Sequence, residues 1–195
     1  MRRRIGAVVV LGCWASLAGA QAPAWRVADG DVRVLVPMKP GGSFETRSRA
    51  ISGEITPGAG SPLPLRGELA VDLATLDTGI ALRNQHLREN YLEVARGDGY
   101  ARAVLSAVKL REATGPGFGG RTGFTADLRL HGVQRPIAGS ATLRREGAGV
   151  RVEASFPLAL SDFAITPPEY LGVGVGNRLI VSVSFVAMPA SGGDR

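Results

Sequence analysis

The chain has 195 residues, 45% of them hydrophobic and 21% charged, which excludes a disordered or acidic-tail protein and leaves room for one domain of ordinary size. Its 27 glycines follow no G-x-y period, so collagen is excluded, and with only 6% aromatic residues they favour an all-β body with many turns. The formal charge of +6 includes Arg2, Arg3 and Arg4, which lie in a segment expected to be removed. The remaining excess of three basic residues is scattered and gives no nucleic-acid footprint.

Arg2-Arg3-Arg4 form a positive n-region, Ile5 to Leu17 an apolar h-region, and Ala18-Gly19-Ala20 a small-x-small cleavage site. Residues 1–20 therefore read as a signal peptide and 21–195 as the mature domain, expected in the periplasm or secreted. The alternative is a lipoprotein signal ending at Cys13, in Val10-Leu11-Gly12-Cys13. Cleavage after Ala20 removes Cys13, the only cysteine, and with it any disulfide or thiol nucleophile. No later apolar run approaches the roughly 20 residues of a membrane-spanning helix.

Alternation with period two dominates the mature chain. Val32, Val34 and Val36 alternate up to Pro37, and Phe44 to Ile55 is a looser strand ended by Pro57-Gly58. Leu69, Val71 and Leu73 alternate with Glu68, Ala70 and Asp72. After these, Asn84 is placed to cap a short helix over Gln85 to Leu92, with Leu87 and Tyr91 on one face. Tyr100 to Leu110 is strand-like, its inward face ambiguous between the Ala and Val sets. Phe124, Ala126, Leu128 and Leu130 form the next apolar face. The tight connection His131 to Arg135 leads into Ile137, Gly139, Ala141 and Leu143. A glycine-rich turn at 146–149 leads into Val150, Val152, Ala154 and Phe156. Ser161 to Asn177 reads as a long rim loop, and Leu179, Val181, Val183 and Phe185 as the last strand.

Eight mostly sequential antiparallel strands make a sandwich or a barrel, and an eight-stranded barrel closes its edges around side chains or one small ligand. Ala126, Gly139, Ala141 and Ala154 on the inward set either leave lumen volume unfilled or simply fit the barrel's taper. The expectation is a barrel with one short helix between its third and fourth strands.

Catalytic signatures are missing. There is no G-x-S-x-G elbow, no G-x-G-x-x-G and no P-loop, and two histidines without a short fixed spacing make no metal site. A hydrolase centred on Ser161, Asp162 or His131 is thus disfavoured. His131 ends a strand, read as facing outward to cap a turn; His86 sits on the short helix, either on its surface or in contact with a ligand. Arg83 either meets a ligand's polar head or pairs with Asp77 or Glu89. No enzyme, cofactor or metal is expected.

Longer motifs are more specific. Val71 to Gly79 followed by Arg83-Asn84-Gln85-His86-Leu87, the stretch Leu128 to Pro136, Ser161-Asp162-Phe163-Ala164-Ile165 with Val175-Gly176-Asn177, and the opening Trp25-Arg26-Val27 together resemble the YceI-like family. That resemblance implies an exported, lipocalin-like eight-stranded antiparallel barrel holding a polyisoprenoid chain, such as a quinone-type or prenyl lipid. Asn84 stands where the family usually has Asp, and Ala164 where it usually has Gly. The expected lumen contacts are Val34, Val36, Phe44, Leu69, Val71, Leu73, Phe124, Leu128, Leu130, Val152, Phe156, Phe163, Val181, Val183 and Phe185. Arg83, Asn84, His86, Leu87 and Tyr91 are expected at the mouth. The rival reading is a non-catalytic interaction module, its barrel filled and its outer arginines docking a partner.

Overall fold

The computed structural model describes residues 24–115 and 117–190; the expected signal segment 1–20 and Cys13 lie outside them. Twelve strands form one antiparallel sheet: β1 (Trp25–Val27), β2 (Gly30–Lys39), β3 (Ser43–Ser48), β4 (Ile51–Pro57), β5 (Leu63–Asp72), β6 (Arg102–Leu110), β7 (Gly120–Leu130), β8 (Val133–Glu146), β9 (Gly149–Ala159), β10 (Glu169–Tyr170), β11 (Val173–Val175) and β12 (Arg178–Pro189). Several are halves of one barrel strand. β12 pairs with β2 from Ile180↔Leu35 to Phe185↔Gly30 and then with β1 at Arg26↔Met188 and Trp25↔Pro189. β3 and β4 likewise follow one another along β2 and β1. Counted so, eight strands run in chain order, and the first pairs both the second and the last. The sheet closes, leaving no unpaired edge in the barrel wall.

The break between β3 and β4 corrects the single strand expected over Phe44 to Ile55. The ambiguous face of β6 is also resolved. Ala107 has a positive φ of 51°, and the register with β7 shifts between Ser106 and Lys109. One extra residue there moves the inward set from Ala103 and Leu105 to Val108 and Leu110, as a β-bulge must.

The short connections reflect local chemistry. His131 and Gly132 (φ 51° and 74°) bridge Leu130 and Val133, the two-residue left-handed turn that matches strand twist. Both are needed to turn the chain within one ladder step.

The long connections gather at one end, called here the upper end. Between β5 and β6 come a 3-10 turn (Leu73–Thr75), helix α1 (Ala81–His86), a π turn (Leu87–Tyr91), a second 3-10 turn (Val94–Arg96) and the single-turn helix α2 (Asp98–Ala101). Leu73 therefore lies just beyond its strand. Between β9 and β12, the turn Leu160–Phe163 precedes the small hairpin β10–β11, in a segment expected to be irregular loop. β11 adds to the end of β2 through Gly174↔Lys39 and Val175↔Met38. Among the described residues no helix is long and apolar enough to cross a membrane.

Candidate functional site

The inward faces do not meet. They surround a cavity of about 530 Å³, within the usual range for small-molecule sites of roughly 300–1,000 Å³. A barrel plugged by its own side chains does not describe this interior. The cavity's wall runs from Trp25, Phe118 and Val150 at the lower end to Arg83, His86 and Val173 at the upper end. His86 and Val173 are exposed, so the cavity reaches the surface between α1 and the β10–β11 hairpin.

Fourteen of the fifteen expected lumen residues line this space: Val34, Val36, Phe44, Leu69, Val71, Leu73, Phe124, Leu128, Leu130, Val152, Phe156, Val181, Val183 and Phe185. Phe163 does not. It is 1% exposed in the turn Leu160–Phe163, packed into the wall with the core, because the chain has left the period-two frame before reaching it. At the mouth, Arg83, His86, Leu87 and Tyr91 line the cavity, and Asn84 does not.

The small residues divide. A Cβ on Gly139 would stand 2.4 Å from the Ser155 carbonyl oxygen and 2.7 Å from the Phe124 ring. Phe124 and Phe156 meet there edge to face at 6.2 Å. Gly139 thus makes room for rings, the taper reading, while Ala141 and Ala154 border open volume.

The mouth is built by a lid whose six-residue helix is too short to hold itself together. Asp77 forms a two-bond backbone bridge to Arg47 of β3 (2.8 and 2.9 Å). Its carboxylate accepts from Gly79 N at 2.8 Å and Asn84 Nδ2 at 2.7 Å. Asn84 Oδ1 in turn accepts from Thr78 N and Thr78 Oγ1. Asn84 is therefore inside α1, tying the helix to its preceding turn, rather than capping it; Ile80 holds the cap position without a side-chain bond. The Asn84 and Gly79 bonds, with some help from Arg88, hold the Asp77 carboxyl below its usual range. The π turn closes with Leu92 N donating to Leu87 O at 2.9 Å. It rotates Leu87 and Tyr91 onto the lumen in place of the regular helix expected over Gln85 to Leu92.

Arg83 pairs with neither Asp77 nor Glu89. Its guanidinium carbon lies 4.2 Å from the centre of the Phe44 ring, a cation–π contact at the cavity wall.

His131 also departs from expectation. Its side chain is only 10% exposed. It lies between strand, lid and rim, with Nδ1 3.1 Å from Phe163 O and Nε2 3.0 Å from Glu93 Oε2, and Tyr100 edge-on at 4.8 Å. Both oxygens only accept, so both bonds exist together only when each ring nitrogen carries a proton. Arg96 first, and then His131, hold the Glu93 carboxyl below its usual range. This cluster fastens the upper end and is not part of the cavity wall.

Sequence reasoning missed Thr46, which is 4% exposed and lines the cavity. The Phe44–Thr46–Ser48 alternation was the available signal, but the hydroxyls hid the face from a hydrophobicity count. It also missed Val173, within the segment expected to be loop.

A model of the YceI-like domain matches residues 30–187. Among solved structures, a polyisoprenoid binding domain from Saccharophagus degradans, described as implicated in plant cell wall breakdown, is 19% identical. That likeness covers 87% of this chain and 99% of that one at a TM-score of 0.63. BcnA from Burkholderia cenocepacia is 16% identical over 82% of this chain and 96% of its own, at a TM-score of 0.64. At such identities the likeness is one of fold. No curated protein matches the chain. With the family model spanning every strand but β1 and the last two residues of β12, and with a closed eight-stranded barrel around an open lumen, the chain belongs to the YceI-like family.

Proposed function

We propose that this protein is an exported, non-catalytic carrier that holds a long-chain apolar amphiphile, of isoprenoid or quinone type, in the barrel lumen. The observation that carries the reading is the cavity of about 530 Å³ walled mainly by aliphatic and aromatic side chains. The polyisoprenoid-binding description of the Saccharophagus degradans domain supports the same ligand class. Removing roughly 400 Å² of prenyl surface from water is worth about 10 kcal/mol at ~25 cal/mol/Å². Ordering the chain consumes several kcal/mol, and a remainder of about 6 kcal/mol corresponds to binding in the tens of micromolar before any polar contact is counted. Export to the periplasm or exterior rests on the charge and hydropathy pattern of residues 1–20.

Organic extraction of the purified protein followed by mass spectrometry tests the ligand. A stoichiometric long-chain amphiphile is expected. Its repeated absence, with no uptake of added prenyl quinone or prenyl alcohol, overturns the reading. Fusion of residues 1–25 to a reporter that is active only outside the cytoplasm tests export.

A further inference from the structure

The cavity wall carries no carboxylate among the described residues, and Arg83 is its one permanently charged side chain. No acidic group of the described residues lies within ion-pair distance of Arg83, although seven such pairs exist elsewhere in the molecule. The guanidinium instead lies over the Phe44 ring at 4.2 Å, half-buried, its hydrogen-bond donors unused by other side chains. An arginine beside an apolar wall without an acid is a strong site for an anionic oxygen.

A second observation points to the same place. Thr46 follows Phe44 on the inward face of β3, about 7 Å deeper along the strand. Its Oγ1 is buried and has no hydrogen-bond partner, and a hydroxyl left unpaired in an apolar wall costs stability. His86, one turn along α1 from Arg83, also lines the cavity and adds a ring nitrogen to its wall.

Resting on the reading of the lumen as a lipid site, we propose that the mouth selects an amphiphile with an anionic, oxygen-bearing head. Arg83 binds the charge, His86 adds a polar contact, and Thr46 meets the oxygen that joins head to tail. A prenyl phosphate has this chemistry; a prenyl alcohol or quinone supplies the tail and an acceptor but leaves the arginine without a counter-charge.

Titration of the full mature chain with geranylgeranyl phosphate and geranylgeraniol, followed through the fluorescence of Trp25 on the cavity wall, tests this. The phosphate is expected to bind at least tenfold more tightly. Arg83→Gln is expected to abolish that ratio chiefly by weakening phosphate binding, and Arg83→Lys to restore part of it. Equal affinity in the wild type, or a ratio that survives Arg83→Gln, overturns the head-group assignment while leaving the lumen reading intact. Failure of both ligands to bind defeats the lumen reading and this one with it. Hexadecanoate against hexadecanol identifies the source: preference for both acids assigns the mouth to anionic heads in general, and preference for the prenyl phosphate alone assigns it to phosphate. Thermal melting of each variant confirms that it is folded.

Discussion

Asn84 and Ala164, the two positions where the family resemblance leads to an expectation of Asp and Gly, have different physical consequences. Asn84 uses both ends of its amide, donating to Asp77 and accepting from Thr78. An aspartate there would set two carboxylates against each other. Asn84→Asp is expected to lower Tm by about 2–4 °C at pH 7, and the deficit should shrink on acidification as one carboxyl gains a proton to share; melting curves at pH 7 and pH 4 check it. Ala164 sits at φ 56°, where an L side chain costs roughly 1–2 kcal/mol. Glycine removes that strain but adds about 0.4–1 kcal/mol of unfolded-state entropy. Ala164→Gly is therefore expected to stabilise the protein by about 0.5–1 kcal/mol, read by urea denaturation. The aliphatic wall residues were legible in the sequence because strand alternation fixes which way each one points. Thr46 was not, since nothing local distinguishes a hydroxyl facing a lumen from one facing water.

At the scale of elements, the connections at the barrel's two ends are held by carboxylates. Asn84 and Gly79 depress the Asp77 carboxyl, Arg96 and His131 that of Glu93, and Thr122 and Gly123 that of Glu112 at the lower end. A carboxyl depressed in the folded state contributes fully above the unfolded value of about 4, and that contribution is lost as pH falls through the folded one. Stability is accordingly expected to hold from pH 7 to about 5 and to fall steeply below 4, as thermal melts across that range would show. Asp77→Asn should begin lower at pH 7 and lose less on acidification. The two long connections were recognised as non-strand, but their inner structure was not. The turn Leu160–Phe163 and the β10–β11 hairpin depend on partners far along the chain, Phe163 on His131 and β11 on Lys39 of β2.

For the whole molecule, the balance is between a sheet that closes without edges and a centre that stays open. A ligand bound only by the folded state at a hundred times its Kd adds about 2.7 kcal/mol, or roughly 5–11 °C in Tm for a domain of this size. Prenyl ligands are expected to raise Tm by that much in the wild type. In Ala154→Trp, which places an indole where the wall borders open volume, the rise should vanish while the circular dichroism of the barrel is retained. A rise of the same size in the filled variant would place the ligand elsewhere.

The alternation of apolar residues, the turn residues and the family-like motifs determined the all-β barrel and most of its inward face, because side-chain direction in a strand depends only on position along it. The register shift at Ala107, the burial of His131 and Phe163 outside the lumen, and the unpaired Arg83 over Phe44 were decided by tertiary structure. Each depends on which distant segments meet at the barrel's wall or upper end. So did the openness of the lumen, since a cavity is the difference between the circumference the strands impose and the volume their side chains fill. Neither quantity is carried by any single stretch of chain.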